Sequence, residues 1–207
     1  MNSEISSSRV RLARERTMES IHAAAIAEFS EKGFQGATTQ AIAQRAGMKK
    51  TQLHYYINGK EELYEELLQK VLQVWADIIQ FDPGLIEPQA VLSRYIRNKM
   101  DFSFNQPELS RIFTSEVLSG GHYLQKYWPN AIENIRNKEN LIRQWIGQGV
   151  LRPLDPRLFI MHIWAVTQYY ADFAVQVNQM YGEIGNAETQ EHIIAEVTTL
   201  ILRGCAV

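Results

Sequence analysis

Apolar residues along this chain recur at helical intervals and almost nowhere at alternate positions. Val10, Met18, Ile21, Ala25 and Phe29 fall near i, i+3, i+4 steps, which line one face of a helix at about 3.6 residues per turn. No segment alternates convincingly with period two. The expected fold class is therefore all-α, with about nine helices. They run over residues 9–32, from Thr38 or Thr39 to Gly47, then 50–57, 60–81, 88–105, 107–118, 122–149, 157–181 and 187–203. The breaks are Gly33, Gly47, Asn58-Gly59, Asp82-Pro83-Gly84, the run from Leu151 to Pro156, and Gly182 with Gly185. Each places glycine or proline where a helix must stop. No repeat or low-complexity tract interrupts this pattern.

Composition narrows the class. Hydrophobic residues are 45% of 207, and Gly and Pro together number only 18, which excludes disordered and fibrous chains. The single cysteine, Cys205, excludes a disulfide scaffold and a multi-thiolate zinc site, and this thiol is expected to be inert. No apolar run reaches the length of a spanning helix. The first residues lack a signal-peptide apolar stretch. A soluble protein of a reduced, cytoplasmic compartment without membrane partners is expected.

Charge is uneven. Residues 1–60 hold nine Lys/Arg and five acids, a balance of +4, while residues 61–207 hold 12 and 18, a balance of −6. A basic head on an acidic body suits a head that meets a polyanion, although a chance excess on a solvated face gives the same count. Within the head, two short helices joined by Ala46-Gly47-Met48-Lys49 match a helix-turn-helix. Ala43 and Ala46 are small where the helices would cross, and Ile42, Met48, Leu53 and Ile57 supply apolar contacts. Lys50, Thr51, Gln52, His54 and Tyr55 would line the outer face of the second helix, with groups suited to base edges and phosphates.

The order and spacing of Phe29, Gly33, Phe34, Thr38, Thr39, Ile42, Ala43, Ala46, Gly47, Lys50, Leu53, Tyr56, Lys60 and Leu63 resemble the TetR family of bacterial transcription regulators, over about residues 14–68. The departure is Asn58-Gly59, where many members carry Ser or Asn before the lysine. The resemblance implies a homodimer with one DNA-binding head per subunit, residues 1–60. Its third helix would enter the major groove of double-stranded operator DNA. Residues 61–207 would form the ligand-binding and dimerisation domain, pairing through the last two helices. The DNA-binding candidates are Thr38, Lys49, Lys50, Thr51, Gln52, His54, Tyr55, Tyr56 and Lys60. Lys60 opens the fourth helix, where ammonium and free amides together suit a phosphate. The phosphate-facing tyrosine is either Tyr55 or Tyr56. His54 reads a base or is a plain surface histidine. Arg9, Arg11, Arg14 and Arg16 form a minor-groove arm or a disordered lead.

The body carries a narrower likeness. Ile163 to Val177 (IWAVTQYYADFAVQV), LQVWADII at 72–79 and SRIFTSEVLSG at 110–120 resemble the pyrimidine-utilisation regulators of the same family, which sense uracil and thymine. Trp164, Gln168 and Asp172 are spaced i, i+4, i+8 and share a helix face. An aromatic plate beside an amide and a carboxylate suits a flat polar heterocycle, since an amide both donates and accepts. A buried tryptophan with a satisfied polar pair is the plain alternative. Trp75 and Phe113 are further candidates, for pocket or core. Met161 and Met180 are expected to fill core gaps. Ile193, Ile194, Val197, Leu200 and Ile201 form the stripe expected at the two-fold interface.

Other classes fit less well. Ser115, Glu116 and His122 lie near each other in sequence, but no nucleophile elbow or glycine-rich phosphate loop accompanies them. No catalytic residues and no enzyme activity are expected. The five histidines have no metal-ligand spacing, so neither metal nor cofactor is expected. The remaining alternatives are the same DNA-binding regulator with an apolar or amphiphilic effector, and a helical module that binds a protein partner.

Overall fold

The computed structural model describes residues 2–78 and 87–207. The end of the fourth helix near Phe81 and the Asp82-Pro83-Gly84 break lie outside the described residues. Ten α-helices and one 3-10 turn are found among the described residues, with no strand. They are α1 (Asn2–Gly36), α2 (Thr39–Arg45), α3 (Lys50–Tyr56), α4 (Lys60–Ile78), α5 (Pro88–Asn105), α6 (Pro107–Leu118), α7 (Trp128–Gly147), α8 (Pro156–Asp172), α9 (Ala174–Tyr181) and α10 (Ala187–Cys205). The 3-10 turn, His122–Tyr127, precedes α7. None of the described helices is long and apolar enough to cross a membrane. The chain divides into two compact units, Met1–Val71 and Leu72–Val207, so the division falls inside α4.

In the first unit, α1 breaks at Gly33, whose φ of +66° suits glycine better than residues with a Cβ. The helix begins well before residue 9, so Arg9, Arg11, Arg14 and Arg16 stand on it, and Arg11 pairs with Glu15 one turn on. Thr38 is the cap of α2: its Oγ1 accepts the amide of Ala41 at 3.1 Å, which uses one of the free donors of the first turn. Gly47, at φ +69°, turns the chain so that the Met48 amide returns to the Ala43 carbonyl at 3.0 Å. Ile42, Ala43 and Leu53 have no exposed surface, and Ala46 and Met48 are half-buried. The helices therefore cross where the small residues allow. Arg45 bonds Glu28 at 2.9 Å and Glu31 through both terminal nitrogens, tying α2 to α1.

In the second unit, α5 packs against α8 and α10, α6 packs against α8 and α5, and α7 packs against α8. The helices start where proline or a short polar side chain permits. Pro88, Pro107 and Pro156 stand at first positions. Asp155 accepts from the amides of Arg157 and Leu158, and Asn186 accepts from Thr189. Arg97 forms a two-pronged pair with Glu191 at 2.6 and 2.7 Å, joining α5 to α10. Arg157 reaches Glu139 at 2.6 Å, joining α8 to α7 and holding that carboxyl below its usual range.

Four expectations change. The stretch 157–181 is two helices, because Phe173 leaves the helical region at φ −111°, ψ 28°. The stretch 122–149 starts as a 3-10 turn and becomes α-helical only at Trp128. Met161 and Met180 are 47% and 78% exposed, on the outer faces of α8 and α9, and fill no core gap. Ile193, Ile194 and Val197 are buried within their own subunit, because that face of α10 meets α5; Leu200 alone of the expected interface stripe is largely exposed. The helix-turn-helix crossing has a direct test. Leu53→Ala should cost about 2–5 kcal/mol, as for other large-to-small changes at closed sites. Chemical denaturation followed by helical ellipticity should show an earlier first transition.

Candidate functional site

The first unit turns one face of α3 outward. Leu53 is buried, while Lys50, Thr51, Gln52, His54 and Tyr55 are exposed, Tyr55 by 76%. Lys49 and Thr38 are exposed at the edges of the same motif. Gln52 has a second task, since its Oε1 accepts the Lys49 amide at 2.9 Å and fixes the start of α3. Tyr55 and Tyr56 meet edge to face at 5.4 Å, but Tyr56 is half-buried and the Arg14 guanidinium lies 6.0 Å from its ring. Lys60 also has a role that its position in the sequence does not reveal. Its Nζ donates to the carbonyls of Phe34 at 2.9 Å and Ala37 at 3.2 Å, 4.5 Å from the centre of the Phe34 ring. The ammonium thus closes the chain after the Gly33 break, with one of its three N–H groups left over.

The second unit brings most of the remaining candidates together through side chains that were not anticipated. Trp75 packs edge to face on Phe113 at 4.5 Å and on Phe102 at 5.9 Å. Its Nε1 is buried and has no hydrogen-bond partner. Gln168 donates from Nε2 to Thr114 Oγ1 at 3.1 Å. That hydroxyl donates to Asp172 Oδ2 at 2.8 Å, and Ser110 donates to Oδ1 at 3.2 Å. Two residues of α8 and two of α6 therefore form one polar chain next to Phe113. Desolvation raises the Asp172 carboxyl above its ordinary value, against the lowering effect of the two hydroxyls and of Lys99. Trp164, on the same face of α8, donates instead to the hydroxyl of Tyr95 on α5. Burial raises that phenol.

Lys99 was not among the expected residues. It stands on α5 with 2% of its surface exposed, and its Nζ lies 4.0 Å from the centre of the Trp75 ring. Burial, aided by the Lys138 charge and opposed by Asp172, depresses its ammonium to about 7. Lys138 on α7 is also buried, and desolvation brings it to about 8. A signal was present in the sequence. Leu92, Tyr95, Ile96, Lys99, Met100 and Ser103 follow the apolar face of α5 at helical steps, so a lysine stands where a hydrophobe would serve packing. Among the described residues, no group of three or more His, Cys, Asp or Glu comes together as a metal site.

Residues 21–67 match the model of bacterial regulatory proteins of the tetR family, and residues 68–207 match that of the YcdC-like C-terminal region. The chain is 38% identical over 165 residues to the HTH-type transcriptional regulator RutR of Escherichia coli K12, which covers 79% of this chain and 78% of that one. It is 28% identical over 166 residues to the HTH-type transcriptional repressor SCO4008 of Streptomyces coelicolor, covering 80% and 82%. In fold it is similar to the ketosteroid transcriptional regulator KstR2 of Mycobacterium tuberculosis, with a TM-score of 0.73 at 20% identity over 93% of this chain and 95% of that one. These relatives regulate transcription and are not enzymes, and with the two models spanning residues 21–207, the chain belongs to the TetR family of bacterial transcription regulators.

Proposed function

We propose that the protein is a cytoplasmic repressor that binds operator DNA as a homodimer and lets go when a small planar ligand, uracil or thymine, enters the body of each subunit. In this reading residues 1–60 hold the DNA, and residues 61–207 hold the ligand and the partner subunit. The observation that carries it is the polar chain Gln168–Thr114–Asp172–Ser110 beside the aromatic pair Trp75 and Phe113. An apolar or amphiphilic effector needs no such chain, whereas a flat heterocycle with alternating donors and acceptors uses one. No described residue donates to Gln168 Oε1, so the amide keeps an acceptor for a ring N–H. The likeness of 72–79, 110–120 and 163–177 to pyrimidine-utilisation regulators supports the same ligand class. Trp75 stands on the helix that opens at Lys60, so a ligand that moves Trp75 acts on a DNA-facing helix.

The outward face of α3 supports the DNA half of the reading. Lys50, Thr51 and His54 read base edges, while Lys49, Tyr55, Tyr56 and the spare N–H of Lys60 meet phosphates; Thr38 stands at the margin of the same face. Gln52 reaches a base only with its amide nitrogen, because its oxygen caps α3. The dimer reading rests on α8 with Phe173 at its end, and on α10: Leu158, Met161, Tyr169, Phe173 and Leu200 are exposed. The first four are spaced three, eight and four residues apart, which keeps them on one outward side of the helix.

If each head neutralises about four phosphates, log affinity for DNA should fall against log salt with a slope near −7. Lys50→Ala should cost about 1–3 kcal/mol on the preferred site and little on random DNA; Lys60→Ala should weaken both alike. Sedimentation at micromolar concentration should give a dimer, and Met161→Glu with Leu200→Glu should give monomers of unchanged helicity; a monomeric parent protein removes the dimer reading. Gln168→Ala should keep the fold and DNA binding yet lose the response of the DNA complex to uracil and thymine. A variant that responds like the parent would put the ligand elsewhere.

A further inference from the structure

Two donors in the cluster around Trp75 lack an acceptor. The Trp75 indole N–H is buried without an acceptor. The Lys99 ammonium lies against that ring, and no described carboxylate, carbonyl or hydroxyl bonds it. The acid that influences it, Asp172, accepts from Thr114 and Ser110, one hydroxyl on each oxygen. The other charge that faces Lys99 is Lys138 of α7, a second buried ammonium that sits 6.0 Å from the ring of Tyr95, one turn before Lys99 on α5. Holding an ammonium on a side chain that is 2% exposed, without an acceptor, is costly. A methionine would fill the same space without that cost, and contact with a tryptophan face offsets only part of it. A lysine in this place is accounted for by an acceptor that arrives from outside the chain.

We propose that Lys99 is the group that recognises the effector, donating from Nζ to an acceptor oxygen on the planar ligand. The inference rests on the ligand reading above and assigns to the same site a specificity residue that the polar chain does not contain. The oxygen is a ring carbonyl if the ligand is a neutral imide, or a carboxylate if it is an acidic pyrimidine. The consequence for pH has a definite sign. Free Lys99 titrates at about 7, and a bond from its charged form raises that value in the complex. Binding near neutral pH therefore takes up a proton. Affinity is greatest below pH 7 and falls as pH rises through and above it, by up to about tenfold per pH unit until the bound-state value is passed.

The test uses the full-length protein and calorimetric titration with uracil and with its carboxylated derivative, orotate, between pH 6 and 9 in two buffers of different ionisation heat. The parent protein should bind one of them with proton uptake and the stated fall in affinity. The tighter ligand identifies the oxygen as carbonyl or carboxylate. K99M should bind it about 10- to 100-fold more weakly, with a flat pH profile, a melting temperature no lower than the parent's and unchanged DNA binding. K99Q, which keeps a donor without the charge, should recover part of the affinity and none of the pH dependence. A K99M protein that binds like the parent overturns the role of Lys99 and leaves the ligand reading standing. A K99M protein that melts lower, with K99Q equally weak, makes the lysine structural and overturns the proposal. A parent protein that binds neither compound removes the ligand reading and this inference with it.

Discussion

The packing of α5 against α8 decides what the body of this protein can do. Each helix offers an apolar stripe to the other: Leu92, Tyr95, Ile96 and Met100 on α5, and Ile160, Ile163 and Thr167 on α8, all buried. Burial of such side chains is worth about 1.5–3 kcal/mol apiece before conformational entropy is counted. That hydrophobic gain offsets the cost of holding polar groups between the same helices. Tyr95 meets Trp164 across the seam, and Lys99 and Asp172 follow along it. The position of α6 on both helices adds Ser110, Phe113 and Thr114. Without the seam, none of these groups would be desolvated.

The head depends on a smaller device. Gly33 interrupts α1, and the carbonyls of Phe34 and Ala37 are then left for Lys60 to bond. One ammonium therefore fastens the end of α1 to the start of α4, beside the Phe29, Phe34 and Tyr64 ring cluster. The α2–α3 pair is held by the buried contacts of Ile42, Ala43 and Leu53, which leaves the opposite face of α3 free of structural duty except at Gln52. Rigid support behind an exposed polar face is what reading a DNA groove requires.

Much of this was legible in the sequence, for physical reasons that also mark its limit. Local signals are written locally: a cap at Thr38 or Thr39, the breaks at Gly33 and Gly47, and helices that open at residues 88 and 107 can be read because a few neighbouring residues determine them. The break at Phe173 carries no glycine or proline, so periodicity ran 157–181 together. The stripe of Ile193, Ile194 and Val197 is a true stripe, but sequence does not say whether its partner is in the same subunit. Trp75, Phe113, Gln168 and Asp172 were recognisable as chemistry. Thr114, which connects Gln168 to Asp172, and Ser110, which also bonds Asp172, come from another helix and are joined to them only by the fold. Lys99 is a cation in an apolar stripe, a signal that belongs to one helix face and vanishes in the charge balance of a whole region.

The central claim is that one site in the body and one face in the head are coupled, and coupling is reciprocal. The most direct measurement is the uracil affinity of the free dimer beside that of the dimer saturated with a DNA fragment selected by the protein itself. The account predicts tighter binding to the free dimer, by the same factor by which saturating uracil weakens the hold on DNA. Equal affinities in the two states, with uracil bound in both, would contradict it.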